Sequence, residues 1–295
     1  MGSEAEGQLQ IIIPCMNEPA EFQTTLESLS QQSFQDFHIT ALSPEREVKQ
    51  VKEALKVFDS KDVLVRPRKQ SLTSMLNESS RPEEYSHLLF LNDDIVLEDR
   101  SMIEKLLRTL ENPGVGVVGP VSVKYSAHTV NSAGFYLGAF EAINLHQGED
   151  VEDLSGLSEV DALEGAALMV DSEAFAYTEG FPEEYFMYQD DFELCRRISE
   201  AGYRIICDRD TYLLHHLDIK DDLERSSYYS ARNKFLMARD RYSKAGYYLF
   251  AFFNLFFYYP YSFARIIRYY ENRRIPYIMK GLIDGLEGRE YRRYR

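Results

Sequence analysis

Cysteine is scarce. Cys15, Cys195 and Cys207 are the only three in 295 residues. A sparse, odd set builds no disulfide framework and fits a reducing compartment. There is no CxxC and no Cys/His cluster to suggest zinc. Positive charge is also short: 33 Lys and Arg against 48 Asp and Glu give a net charge of −15. Such a surface argues against nonspecific nucleic-acid binding, and no nucleic acid is expected as a partner. The deficit is uneven. Residues 265–295 hold nine bases and four acids, so +5, which leaves −20 on the rest. An acidic body with a basic tail reads either as a tail facing anionic lipid headgroups or as a solvated tail. The first ten residues have neither a basic n-region nor an apolar h-region and make no secretory signal. A myristoylation pattern is also missing, because Glu6 and Gly7 stand where Ser or Thr is wanted. No internal repeat or low-complexity tract is present.

What is present is globular: 44% hydrophobic and 27% charged. A chain of this length can bury a sizeable core. Short apolar runs at 9–14, 37–42, 63–65, 88–91 and 115–118 alternate with helical patterns at 20–31, 45–58, 71–78 and 101–110. That alternation predicts a three-layer α/β/α sandwich with a mostly parallel sheet. Beyond residue 121 the pattern loosens. Strands are expected at 130–137, 166–170, 204–207 and 211–215, and helices at 191–201 and 226–243. The acidic, irregular stretch 141–163 reads as a loop over the sheet edge.

Three features could carry chemistry. Residues 88–97, LLFLNDDIVL, place Asp93 and Asp94 at the end of an apolar strand. Adjacent acids there are costly unless something positive is near. They fit either a capping turn, with Asp94 or Asp99 starting the next helix, or a divalent-metal site at the carboxyl edge of a sheet. Residues 186–194, FMYQDDFEL, put Asp190 and Asp191 at a helix start. They read as ordinary capping acids or as a general base beside the aromatics Tyr185, Phe186 and Tyr188, which could wall a sugar-sized pocket. The pair His215-His216 ends a strand; it is structural, or a metal ligand if the chain brings it near Asp94.

Residues 245–264 carry no charge for twenty positions, the nominal length of a membrane span. Yet 13 of the 26 residues 245–270 are Tyr or Phe, and Asn254 and Pro260 interrupt the run. Tyr belongs at the headgroup level, so an interfacial or re-entrant helix pair is preferred over a simple span. An aromatic homo-oligomer interface or a buried helix is the other reading.

The order of features is informative. It runs Pro14…Asn17, LNDD, VVGP with a later SAG, EGAALMV, EGFPEEYFMYQDDFELCRRISEAGYRI, YLLHH and YYSARNKFLMARDRY. Over residues 9–242, with GLIDGLEGRE after it, this resembles the inverting glycosyltransferases of family 2, of GT-A fold, and especially their rhamnosyltransferase-like branch. Asp190, Asp191, Glu193, Leu194 and Arg197 match that family's Glu-Asp-x-Asp/Glu-Leu-x-x-Arg pattern.

The resemblance implies a two-part layout: a nucleotide-sugar-binding and catalytic domain over 1–222, and a helical, membrane-associated extension over 223–295. It implies Asp191 as catalytic base with Asp190 second. Asp94, with His215 or His216, would hold Mn²⁺ or Mg²⁺, and Asp93 would reach ribose or metal. Pro14, Cys15, Asn17 and Glu18 would line the nucleotide pocket, and Gly165 and Ala166 would meet the donor sugar or the acceptor. The donor would be a nucleotide-diphosphate sugar of UDP or dTDP type, the acceptor a glycan or lipid-linked glycan. The place would be the cytoplasmic face of the cell membrane. Three positions depart from the family: Ala41-Leu42-Ser43-Pro44 stands where a nucleobase-binding acid is common, Asn92 opens the acidic motif, and Arg66-Pro67-Arg68-Lys69 is unusually basic. That basic segment, with Arg68 in it, reads either as a replacement contact to nucleobase or phosphate or as solvated surface. Two other classes remain open. A nucleotidyltransferase would carry a Gly-rich basic loop after the first strand, where this chain has Cys15-Met16-Asn17-Glu18. A non-catalytic glycan- or partner-binding member would not need both acid clusters.

Overall fold

The computed structural model describes residues 7–66, 70–216, 223–269 and 272–289. The expected donor contact at Arg68 and the boundary at 222/223 lie outside the described residues.

The first half follows the alternation in the sequence. Strand β1 (Gly7–Pro14) leads through α1 (Pro19–Ser30) to β2 (Phe37–Pro44), α2 (Val48–Ala54), β3 (Lys61–Arg66), α3 (Leu72–Ser79) and β4 (Tyr85–Leu91). A two-residue strand β5 (Ile95–Val96) precedes α4 (Met102–Leu110) and the long β6 (Val115–Lys124). Short strands β7 (Val130–Ser132), β8 (Phe135–Leu137), β9 (Ala142–Asn144) and β10 (Leu157–Glu159) come next. Then come β11 (Ala167–Asp171), α5 (Ser172–Tyr177), α6 (Asp190–Glu200) and β12 (Arg204–His215). Four helices end the chain: α7 (Leu223–Arg241), α8 (Lys244–Phe253), α9 (Tyr259–Tyr269) and α10 (Ile275–Leu286).

The main sheet runs in the order β10-β12-β6-β11-β4-β1-β2-β3. Among its long strands only β11 opposes its neighbours, β4 and β6. Helices α1, α2 and α4 bury Phe22, Leu26, Val51, Met102 and Leu106 on one face. Helices α3, α5 and α6 bury Met75, Phe175, Leu194 and Ile198 on the other. These are the expected three layers. The reversal of β11 positions the site: its first residues lie at the edge where the parallel strands β4, β6 and β12 end, and there open α/β sheets bind ligands.

Several local expectations differ from the structure. The two strands expected over 204–215 form one, β12, with a register shift between Asp208 and Tyr212. The strand expected over 130–137 is broken by Gly134, whose φ of +96° glycine tolerates. The stretch 141–163 is more ordered than a loop: β9 hairpins with β8, and β10 extends the sheet along β12. The helix pair expected near Pro260 runs without a break. A π-helical turn over Asn254–Tyr258 joins α8 to α9, so the proline's missing N–H falls at the start of α9. Among the described residues no helix is long and apolar enough to cross a membrane.

The C-terminal helices form an aromatic cluster of their own around Phe235, Phe250, Tyr259 and Ile278. Helix α10 approaches α7 closely through Gly281 and Gly285. A Cβ at Gly281 would stand 2.3 Å from the Tyr228 carbonyl oxygen, and one at Gly285 2.7 Å from that of Arg232. Asp284 between them accepts the Tyr228 hydroxyl at 2.7 Å.

Candidate active site

The capping turn near residue 99 and the acid pair before it are separate. Asp99 Oδ1 accepts from the Ser101 N–H and hydroxyl at the head of α4. Asp93 and Asp94 are left for other partners. Asp93 is buried and accepts three bonds from the β1–α1 loop: Met16 N–H at 2.7 Å, Asn17 N–H at 2.9 Å and Asn17 Nδ2 at 2.8 Å. Burial raises its proton affinity, the loop's N–H groups lower it, and the carboxyl ends near pH 6.

Asp94 faces β12. Its Oδ1 lies 3.2 Å from His215 Nε2, and His215 Nδ1 lies 3.4 Å from Glu164 Oε1. Burial alone would lower the His215 pKa. Hydrogen bonds and charge from Asp94 and Glu164 outweigh it and lift the imidazole to about 10. Burial raises Glu164, but bonds from His215, Ser122 and Asn131 hold it below the ordinary carboxylate range. His216 does not share this place. Its ring stacks on Tyr125 at 3.7 Å, and its N–H donates to the Asp94 carbonyl.

The residues suit a divalent ion on two grounds. Asp94 Oδ1 and His215 Nδ1 are buried without a well-formed hydrogen bond among the described residues. The 3.2 Å between Asp94 Oδ1 and His215 Nε2 is also close to the ~3.0 Å that separates neighbouring ligands of an octahedral ion bound at ~2.1 Å. No group of three or more His, Cys, Asp or Glu among the described residues could hold an ion alone.

The second acid pair opens α6. Asp191 Oδ2 accepts Gly165 N–H at 2.8 Å, and its Oδ1 accepts Phe192 N–H at 2.9 Å. Burial raises both carboxyls, and the charge of Asp190 pushes Asp191 further. Among the described residues no cation offsets them. The glycine lets the two approach, because a Cβ at 165 would stand 3.2 Å from Asp191 Oδ2 and the carboxyl would have to shift. Ala166 accepts Asn92 N–H through its carbonyl at 2.9 Å. The three residues 164–166 at the head of β11 therefore reach both acid clusters: Glu164 meets His215, Gly165 meets Asp191, and Ala166 meets Asn92, which precedes the first pair.

The loop that presents Asp190 is strained. Phe186, Tyr188 and Gln189 have φ of +67°, +65° and +60°. Met187 N–H donates to the Tyr185 carbonyl across Phe186, a γ-turn of the rare kind. Such backbone persists only where its surroundings over-determine it. Asn233 of α7 does so, donating its amide to the carbonyls of Tyr185, Met187 and Tyr188. Arg232 beside it donates to the carbonyls of Glu184 and Tyr185 and to Asn233 Oδ1. Both side chains are fully buried. Buried Glu193 pairs with Arg196 and Arg197, and Arg197 reaches Glu184. In this Glu-x-x-x-Arg pattern the outer residues brace the loop.

A cavity of about 440 Å³ opens beside the first acid pair, with Cys15, Asn17, Asp93, Glu47, Gln50 and Val57 on its wall. Pro14 and Glu18 are not on that wall. Pro14 pairs with Leu42 in the sheet and Glu18 caps α1.

Sequence reasoning missed Glu164, Arg232 and Asn233. Glu164 sat in plain view before Gly165, and Arg232-Asn233 in YYSARN. No local signal says that a helix forty residues downstream holds the Asp190 loop.

The model of the family described as Glycosyltransferase like family 2 matches residues 7–219. The O-antigen biosynthesis protein RfbC of Myxococcus xanthus is 25% identical over 227 residues, 71% of this chain and 17% of that one. An N-acetylglucosaminyl-diphospho-decaprenol L-rhamnosyltransferase of Mycobacterium tuberculosis is 32% identical over 83 residues, 28% of this chain and 27% of that one. The matches span less than a third of those relatives' length. Among solved structures, a mannosyltransferase from Pyrobaculum calidifontis, in complex with GDP-Man and Mn²⁺, superposes with a TM-score of 0.60 at 12% identity. The superposition covers 96% of this chain and 88% of that one. At that identity the likeness speaks for the fold, GT-A.

Proposed function

The chain belongs to the glycosyltransferase-like family 2, and on that premise we propose an inverting, metal-assisted sugar transfer from a nucleotide-diphosphate sugar to a hydroxyl of a glycan or lipid-linked glycan. The observation that carries this is the convergence on residues 164–166, where an acid–histidine pair and a buried, uncharged-leaning carboxyl lie one residue apart in contact.

The nucleotide occupies the cavity beside Cys15 and Asn17, where Gln50 and Glu47 of the α2 end offer amide and carboxylate groups to a base. They stand in for the acid that Ala41–Pro44 lacks. Asp93 holds the β1–α1 loop in shape through its three bonds. Asp94 and His215 would hold Mn²⁺ or Mg²⁺, with diphosphate oxygens filling the positions that two protein ligands leave open. Bound there, such an ion neutralises charge on the leaving diphosphate.

Asp191 takes the proton. The acceptor oxygen forms a bond to the anomeric carbon, the bond from that carbon to the diphosphate breaks, and the hydroxyl proton passes to the Asp191 carboxylate. A single displacement inverts the centre and needs no protein nucleophile. The raised proton affinity of Asp191 suits a base working near neutral pH. Gly165 and Phe192 N–H groups hold its two oxygens in place.

The exposed stripe Tyr248, Leu249, Phe252, Phe256, Phe257 and Tyr261 supports a peripheral seat on the inner face of the cell membrane, where aromatic rings and flanking bases meet headgroups. Sedimentation with anionic vesicles tests it. Absence of co-sedimentation with a monomer–dimer equilibrium in its place would assign the stripe to self-association.

A thermal-shift screen of UDP, dTDP and GDP and their sugars, with and without Mn²⁺, tests the transferase reading. One nucleotide should raise the melting temperature only with the ion, because a ligand that binds the native state alone stabilises it. No shift with any of them would sink the reading.

A further inference from the structure

We propose that the cavity between α7, α9 and the β8–β9 hairpin is a binding pocket for a phosphate or diphosphate group carried on an apolar chain. It encloses about 740 Å³ and is separate from the nucleotide cavity.

Its charge runs against that of the protein. In a chain of net charge −15, Lys234, Arg241, Arg265 and Arg274 gather on this wall, and Glu141 is the one acid on it among the described residues. They come from α7, α9, the turn before α10 and the hairpin. Arg241 is taken up by the carbonyls of Leu137 and Gly138, and Arg274 donates to Ser227 Oγ. Lys234 has no carboxylate within ion-pairing distance among the described residues. Its ammonium sits 3.6 Å from the Tyr258 ring centre and 5.7 Å from that of Tyr259. A cation held over aromatic faces in a partly dry pocket is poorly solvated, and an anion restores what it lacks. Burial lowers its pKa to about 8 while Glu141 opposes the shift, in keeping with that shortage.

The walls fit an amphipathic ligand. Ser226, Ser230 and Ser262 offer hydroxyls, and Phe140, Phe250 and Tyr258 offer apolar surface. At the mouth, Tyr261 is 65% exposed and continues the apolar stripe of α8 and α9. An apolar chain can leave the pocket along that stripe. At the inner end the cavity reaches Gln189 and Phe192, which flank the Asp190–Asp191 pair. Gln189 Oε1 is buried there without a hydrogen-bond partner among the described residues. A hydroxyl attached to the anchored phosphate would therefore come to the base. That last step rests on the transferase reading; the binding itself does not.

The test uses the full chain, in EDTA and without nucleotide, so that the acid–histidine pair cannot bind the anion through a metal. The probes are farnesyl diphosphate below its aggregation limit, farnesol and inorganic pyrophosphate, read by calorimetry. Farnesyl diphosphate should bind about tenfold or more tighter than either half alone, and Lys234→Gln or Arg265→Gln should weaken it by about tenfold or more. Lys234→Arg should retain most of the binding, which separates lost charge from lost folding. Equal affinity for farnesol, equal affinity for pyrophosphate, or no effect of either Gln variant would overturn the pocket. Sedimentation with phosphatidylglycerol vesicles, undiminished in Lys234→Gln and without farnesyl diphosphate binding, would assign the cations to a headgroup surface and also overturn it. The two readings fail separately. Farnesyl diphosphate binding with no Mn²⁺-dependent nucleotide binding removes the transferase and leaves the pocket.

Discussion

The two adjacent acid pairs look alike in the sequence and meet different partners in the fold. Asp94 ends a strand with its Oδ1 3.2 Å from His215 Nε2, and three loop N–H groups hold Asp93. Asp190 and Asp191 begin a helix with no cation offsetting them among the described residues, and burial drives both toward their neutral forms. Burial raises Asp93 and Asp190 alike, to about 6; loop N–H groups restrain Asp93, whereas the charge of Asp190 pushes Asp191 on to about 8. In the proposed roles, environment rather than residue type would divide metal ligand from base.

That contrast can be broken at each side. The largest expected effect is Asp191→Asn, which should lower kcat by about 10²–10⁴-fold with unchanged donor affinity. Near-wild-type turnover would move the base to Asp190. At the other pair, Asp94→Asn or His215→Ala should weaken Mn²⁺-dependent nucleotide binding by at least about tenfold, in the range that even outer ligand partners command. Calorimetry with and without the ion reads this, and equal binding in both variants would remove the ion from that place. His216→Ala is the matched control and should leave the ion's effect intact.

Supports of the second pair come next. Asn233→Ala leaves the carbonyls of Tyr185, Met187 and Tyr188 without its amide, and should cost about 1–3 kcal/mol of stability. It should also lower kcat with donor affinity unchanged. Unaltered kcat in the folded variant would mean that the strained loop needs no such clamp.

The pH dependence sharpens the contrast. A base works deprotonated, so activity falls as pH drops through its pKa. With Asp191 raised, that acid limb should lie above the ordinary carboxylate range near ~4. Asp190→Asn removes the neighbouring charge that raises it and should move the limb to lower pH. A limb that stays where it was would show that Asp190 does not couple to the base.

The smallest effect belongs to Asp99→Ala, which removes the turn bonds from Ser101 and the pair with Lys105 before α4 and should cost about 1 kcal/mol, with transfer and donor binding unaltered. It separates the acid that only holds a turn from the two that stand six and five residues before it.

Much of the fold was legible because its signals are local. Apolar runs at 9–14, 37–42 and 88–91 became β1, β2 and β4, and Ser71 caps α3 where the helical pattern began. The strand around 115 was drawn too short because Gly119-Pro120 read as its end. Pro120 lies within β6, which continues to Lys124 and pairs beyond the proline with β12. The stretch 141–163 had no apolar alternation to announce β10, which depends on an open edge of β12. At the site, both acid pairs and the histidine stood out by type and order. Their division of labour did not: Glu164 beside His215, His216 turned onto Tyr125, and the Arg232–Asn233 clamp all depend on packing across about 45 to 90 positions.

By itself the sequence determined the alternating elements, the acidic body, and the presence of two acid pairs and a histidine pair. Period, charge and residue type act over a few residues and can be read there. Only the tertiary structure decided that β11 runs against its neighbours. That reversal brings residues 164–166 to the edge where β4 and β12 end, so one short segment meets Asp94's histidine and Asp191 at once. The tertiary structure also decided that α10 locks α7 through two glycines and that α7 in turn holds a strained loop. Hydrogen bonds and ion pairs reach about 3–4 Å, and only the folded sheet brings groups so far apart in the chain within that distance.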